Sequence, residues 1–258
     1  MNSTDQKYTS RLLKGGALFE DMRRLVMVWS DEIPENEAYA YLRGLLPKST
    51  LARVRDIYTN SFRPRFIQGS PPDAWRLAKI LEEQKADLEI IRPFYYWITA
   101  RAELPLYELV SDFLYPRSRS MDRQVRIEDA VTWLAQRTRQ YNISWSHGVI
   151  VRVAQGILAA LRDFGILVGT VRKQISNSGL SPKAFAIIAF CLNEMGFSGR
   201  QLFYHPDWRL FLLDEAGVVH LLLDCHQYGW LRYDSAGDIK RIEFPAKTFK
   251  EFSREVLG

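Results

Sequence analysis

The chain is poor in the side chains that bind metals or carry redox chemistry, with two cysteines and four histidines in 258 residues. Cys191 and Cys225 each sit inside an apolar stretch, which suits small core residues better than a disulfide pair. His147, His205, His220 and His226 are scattered, and His220 with Cys225 and His226 lacks the spacing of a zinc site, so no metal is expected. There is no glycine-rich phosphate loop either. Lys14-Gly15-Gly16 lacks the strand and spacing that cradle a nucleotide, so no cofactor is expected. The one crowd of carboxylates, Asp207, Asp214, Glu215 and Asp224, matches no magnesium-dependent nuclease pattern, and no serine or cysteine is marked as a nucleophile. These absences point away from an enzyme. No apolar run approaches the ~20 residues that span a bilayer. Residues 1–11 are polar, without the apolar core of a signal peptide. A cytoplasmic protein that does not enter membranes is the expectation.

What is present is apolar residues at helical spacing and an excess of base. With 47% hydrophobic residues the chain can bury a sizeable core, and its length suits two domains or one large one. Leu18, Met22, Leu25, Val26 and Trp29 form one stripe. Pro34 opens a second helix with Ala38, Tyr41, Leu42 and Leu45, which Pro47 ends, and Ser49 or Thr50 caps a third with Leu51, Val54, Ile57 and Tyr58 facing inward. A long helical region over 73–100 is predicted to bend at Pro93, and its aromatics Phe94, Tyr95, Tyr96 and Trp97 suit packing between helices better than a base-stacking platform. A short helix follows over 106–114. The arginine-rich stretch 116–126 reads as a linker between an N-terminal helical domain, 1–120, and a C-terminal winged-helix-like domain, 121–258. The fold class expected is mainly α, with helix-turn-helix and short β-hairpins in the second domain.

The net charge of +5 is not evenly spread. Over 43–65, Arg43, Lys48, Arg53, Arg55, Arg63 and Arg65 face only Asp56. Over 141–200 six basic residues face Asp163 and Glu194. The second surplus accompanies a pattern. Ile127, Ala130, Val131 and Leu134 share a helix face, with Glu128 and Asp129 in the first turn, where the helix dipole favours acid. Ser144 or Ser146 then caps a helix whose apolar side is Ile150, Val153, Ile157, Leu161 and Phe164 and whose polar side is Arg152, Gln155 and Arg162. Gly165 closes it, and 166–171 is β-branched enough for a strand, with Arg172 and Lys173 following. Helix, turn, helix, wing is how many DNA readers are built, the second helix entering the major groove. The competing reading is a pair of ordinary packed helices with a solvated basic face. Further on, Val218, Leu221, Leu222 and Cys225 mark a helix stopped by Gly229, and residues 230–233 and 239–244 flank a turn over 234–238 as a hairpin. Asp234 and Asp238 make that turn a poor phosphate contact, so a packing or partner-binding role is expected.

Three segments resemble a known family. Lys14-Gly15-Gly16-Ala17-Leu18, the run from Lys48-Ser49-Thr50 through Arg53 to Arg65-Phe66, and Gly229-Trp230-Leu231-Arg232-Tyr233 through Gly237-Asp238-Ile239 to Arg241-Ile242-Glu243-Phe244 are similar to BrxA proteins of bacterial phage-exclusion (BREX) defence loci. The motifs are short and chemically undiagnostic, and the resemblance covers essentially the whole chain. It implies a mainly helical, non-enzymatic DNA-binding protein acting beside a methyltransferase, an ATPase and other BREX proteins. It also implies a likeness to the NusB-type RNA-binding helical fold. The family has been labelled an inner-membrane protein, against which the lack of an apolar span speaks.

The site residues rest on charge and helical geometry alone. One basic surface is expected from Lys48, Arg53, Arg55, Arg63 and Arg65, with Ser49 and Thr50 adding hydroxyl and amide donors at a helix start. A second is expected from Arg152, Gln155, Arg172 and Lys173. The partner would be duplex DNA, with single-stranded DNA as a variant, held through phosphates with limited sequence preference. The alternatives are a structural adaptor for acidic proteins, using the aromatic helix from Phe94 as interface, and an RNA-binding helical protein.

Overall fold

A computed structural model describes residues 8–33, 38–44, 50–177 and 179–258. The fold is mainly α, as the periodicity predicts. A single 3-10 turn, Arg11–Lys14, here called the strap, precedes α1 (Phe19–Val28), whose Met22, Leu25 and Val26 are buried as the stripe requires. Then come α2 (Ala38–Arg43) and α3 (Leu51–Ile57), which runs on into a wider π-type turn, Tyr58–Ile67. Pro34, Leu45, Pro47, Lys48 and Ser49 lie outside the described residues. Thr50 caps α3 by accepting from the Arg53 amide at 3.2 Å. Val54, Ile57 and Tyr58 point inward as expected, whereas Leu51, in the first turn, is exposed.

The expected long helix over 73–100 is instead two helices, α4 (Ala74–Glu83) and α5 (Leu88–Ala102). The break falls after Gln84, where Lys85 adopts a left-handed conformation, and Pro93 is absorbed within α5. Phe94, Tyr95, Tyr96 and Trp97 are all buried, so their role is core packing. The next helix begins earlier than expected: α6 (Leu104–Glu108) passes through a π-type turn, Leu109–Leu114, into α7 (Tyr115–Arg117).

The stretch read as a linker holds a strand, β1 (Gln124–Val125). It leads into α8 (Ile127–Gln140), α9 (His147–Asp163), β2 (Leu167–Val168) and β3 (Lys173–Ile175). The three strands form one antiparallel sheet in the order β1-β3-β2, with Val125 opposite Lys173 and Val168 opposite Gln174. The strand expected over 166–171 is shorter because Gly169, at φ +88°, turns the chain; a β-carbon there would collide with the Arg172 carbonyl. Ser146 caps α9 through the Val149 amide at 3.4 Å.

The rest packs around α10 (Pro182–Glu194), which is buried along most of its length. Around it stand α11 (Gly199–Phe203), a 3-10 turn at Pro206–Phe211, α12 (Glu215–Gln227) and α13 (Phe249–Leu257). The hairpin β4 (Arg232–Ala236) and β5 (Ile239–Glu243) has a tighter turn than expected: Ala236 pairs with Ile239, leaving Gly237-Asp238 as the two-residue loop.

The apolar core is continuous from α1 to α13. Buried polar contacts cross 116–126 as well. Trp97 Nε1 donates to Asp207 Oδ2 at 2.7 Å, Tyr107 Oη donates to Asp207 Oδ1 at 2.9 Å, and the Arg101 guanidinium pairs with the same carboxylate. Tyr96 Oη donates to the Leu210 carbonyl at 3.0 Å. Among the described residues no helix is long and apolar enough to cross a membrane.

Candidate nucleic-acid interface

The first expected surface divides on inspection. Arg53 and Arg55 lie on α3, Arg55 exposed and Arg53 partly so. Arg53 Nη1 donates to the Lys14 carbonyl at 3.0 Å and to Asp56 Oδ2 at 3.1 Å, and Lys14 Nζ sits 3.1 Å from Asp56 Oδ1. Lys14, Arg53 and Asp56 therefore form one surface cluster of net positive charge, with Lys14 57% exposed. Arg63 is half-buried in the π-type turn, where the side-chain oxygen of Gln68, with its amide turned, accepts from Nε at 3.1 Å and Nη2 at 3.2 Å. Lys48 and Ser49 lie outside the described residues, and Thr50 has its hydroxyl committed to the cap.

Arg65 is not a surface residue, which corrects the expectation from charge alone. Its side chain is 0% exposed, with Nε donating to Glu103 Oε1 at 3.2 Å and Nη1 and Nη2 to the carbonyls of Ala17 and Gly16, each at 3.2 Å. Burial lowers its pKa while the Glu103 carboxylate opposes that shift. Glu103 also accepts from Thr9 and pairs with Arg11 at 3.4 Å, and Arg11 Nη2 donates to the Ala102 carbonyl at 2.9 Å. This buried cluster anchors the strap to α5. No signal in a single sequence separates such an arginine from its exposed neighbours, because its partner is thirty-eight residues away.

The second surface is built on α9. Burying Ile150, Val153, Ala154, Ile157, Leu158 and Leu161 turns the opposite side outward, so Gly148, Arg152, Gln155 and Arg162 share an exposed stripe. Arg152 Nε donates to the Gly148 carbonyl at 3.2 Å, and Arg162 pairs with its neighbour Asp163 at 2.8 Å. Arg172 is exposed on the loop between β2 and β3, beside Val171 at 93% exposed, and Lys173 Nζ is tied to the Thr170 carbonyl at 2.9 Å.

The strap that Arg53 contacts also touches α9. Gly156, at the edge of the α9 stripe, has the strap lying directly on it; a β-carbon there would collide with the Leu12 carbonyl. A β-carbon on Gly16 would stand 3.6 Å from the Gly156 carbonyl oxygen, so the chain just after the strap also passes close to this helix. Sequence reasoning noticed Lys14-Gly15-Gly16 and missed this role, which only the approach of two backbones reveals.

The carboxylates that looked like a crowd have separate positions. Asp207 is enclosed by Arg101, Trp97 and Tyr107, Asp214 caps α12 and pairs with Arg119 at 3.2 Å, and Asp224 faces His220 at 3.6 Å. Among the described residues no three His, Cys, Asp or Glu side chains are grouped to hold a metal ion, and Cys191 and Cys225 are free and buried. On the hairpin, Asp234 stands opposite Arg241, and Arg241 reaches Glu243 at 2.6 Å, so its charges are internally compensated.

The family model BrxA matches residues 6–190, which takes in the strap, α3, α5, α9 and the three-stranded sheet. The third resembling segment, 229–244, lies beyond the match. No curated protein and no solved structure matches the chain.

Proposed function

Since the chain belongs to the BrxA family and is thus a component of a bacterial phage-exclusion (BREX) defence system, we propose that it is a cytoplasmic, non-enzymatic protein that holds duplex DNA through its phosphates, with limited sequence preference. The observation that carries this reading is the order β1-α8-α9-β2-β3 with sheet order β1-β3-β2, which agrees with the order of elements in a winged helix and supports that reading. In that layout α9 is the recognition helix and the β2–β3 loop the wing. Its outward stripe carries Arg152 and Gln155, and the loop carries Arg172. The lone glutamine and the exposed Gly148 offer little base-edge discrimination, which fits phosphate contact with weak sequence preference.

The test is fluorescence anisotropy of a ~30-base-pair random duplex at ~50 and ~200 mM salt. The wild type is expected to bind with a micromolar or tighter Kd that weakens steeply with salt. Alanine at Arg55, Arg152 and Arg172 together should reduce the log-log salt slope by about 2 to 3. No binding at the lower salt removes this reading. Competition with single-stranded DNA and RNA separates the duplex from the other nucleic acids.

A second reading is favoured by one feature outside the family match. Tyr228, just past the end of α12 and 64% exposed, stacks on Trp230 with ring centroids 4.6 Å apart, and Leu223 is exposed on α12 itself. Aromatic residues with a polar tip are enriched at protein interfaces, so this region supports an adaptor role toward other BREX proteins. The interface expected on the helix from Phe94 has no such support, since those rings are in the core.

A further inference from the structure

We infer that the two basic surfaces are one continuous track for a single duplex, and that Lys14, on the strap between them, is a central phosphate contact. The inference rests on the DNA-binding reading and adds to it a residue and a geometry. Three observations carry it. First, Arg53 Nη1 lies 3.0 Å from the Lys14 carbonyl, so the α3 cluster and the strap share one surface. Second, the Leu12 carbonyl rests against Gly156, and on a helix of 3.6 residues per turn Gly156 and Arg152 differ by only about 40° in direction. From Leu12 to Lys14 is two residues, at most ~8 Å of chain, so the Lys14 backbone lies close to α9 while its ammonium reaches Asp56 on the α3 side. Third, the strap is held firmly: Arg65 binds the carbonyls of Gly16 and Ala17, and Glu103 binds Arg11. A contact on such a support loses less entropy on binding than one on a mobile arm.

Asp56 restrains this track. It accepts from Lys14, Arg53 and Asn60, at 3.1, 3.1 and 2.6 Å, and so neutralises part of the charge that would meet phosphate. An ammonium has three donors and can keep Asp56 while reaching a phosphate oxygen. Removing the carboxylate charge should release both cations. Asp56→Asn and Lys14→Ala are therefore expected to act in opposite directions, which a merely structural role for Lys14 would not produce.

The experiment titrates the full chain with a ~30-base-pair duplex over a salt series, alongside Lys14→Ala, Asp56→Asn, Arg55→Ala and Arg152→Ala, with stoichiometry from a saturation titration at protein concentrations well above the Kd. Circular dichroism spectra checked against the wild type show that each variant is folded. The expected result is one duplex per protein, a salt slope lowered by about 0.9 in Lys14→Ala and in Arg152→Ala, and tighter binding in Asp56→Asn. The inference is overturned if the wild type binds DNA but Lys14→Ala keeps the wild-type slope. It is equally overturned by two independent duplex sites, one lost with Arg152→Ala and one with Arg55→Ala. Absence of wild-type binding overturns the DNA-binding reading itself.

Discussion

At the scale of single residues, chemistry alone does not decide fate. Arg53 and Arg65 belong to the same basic run, yet one sits at the surface with a carbonyl and a carboxylate while the other is sealed beneath the strap. A guanidinium can be buried when its planar fork finds several acceptors at once, and Glu103 with two backbone carbonyls supplies them. His205 shows the same dependence on surroundings. It is buried, its Nδ1 accepts from the Asp207 amide at 3.2 Å, and desolvation depresses its pKa to about 4, partly opposed by the Asp207 charge. A base whose folded pKa lies below its unfolded value of 6.5 binds fewer protons folded than unfolded between those two pH values. Stability is thus intact above pH 6.5 and falls progressively as pH drops toward 4, by about 3 kcal/mol at most. Urea unfolding at pH 7, 5.5 and 4.5 checks this, and His205→Asn, which keeps an acceptor without the titration, should flatten that part of the profile. An unaltered profile in the variant would show that other groups govern the acid limb.

At the scale of elements, the joint between strap and α9 is the point on which the candidate interface depends. Gly156 and Gly148 lie on the same helix and look alike in sequence, but their surroundings are opposite. A β-carbon at 156 meets the Leu12 carbonyl, and one at 148 meets nothing. Gly148→Ala should stabilise the protein by up to ~1 kcal/mol through helix propensity. Gly156→Ala should destabilise it by roughly 1–3 kcal/mol, because backbone must move to make room. Thermal melts of the two variants check the pair of signs; equal shifts would mean the strap yields freely. Element boundaries tell a similar story. The capping residues Thr50 and Ser146, each bonded to an amide three residues on, could be read from sequence to within one or two positions because a cap is a local interaction. The break between α4 and α5 went to Lys85 in a left-handed conformation, and Pro93, the expected bend, was accommodated inside a helix buried on most sides. β1 and α11 escaped reading for a related reason: strands of two residues and helices of five have no period to detect. The α13 helix carries a period of its own, with Phe249, Phe252 and Val256 buried three and four residues apart.

At the scale of the whole molecule, the linker-like stretch 116–126 is bridged by core. Asp207 is bound by Trp97 and Tyr107 from one side of it, and Phe94 packs on Phe249 with ring centroids 6.2 Å apart. The described chain is therefore expected to unfold in one cooperative transition, with tryptophan fluorescence and far-ultraviolet circular dichroism giving coincident urea curves. Two separated transitions would show that residues on either side of 116–126 fold as independent units.

The sequence by itself determined what is local or periodic: the mainly helical class, the faces of α1, α8 and α9, the caps, and the excess of base that suggests phosphate as a partner. Two of its three short resembling segments lie within the match over 6–190 that establishes the family. Tertiary structure decided which of those bases reach solvent. It buried Arg65, left Arg152 and Arg172 exposed, and laid the strap against α9 with Lys14 reaching α3, because burial depends on partners distant in sequence and on how closely two backbones can approach. Spacing along the chain carries the first kind of information and not the second.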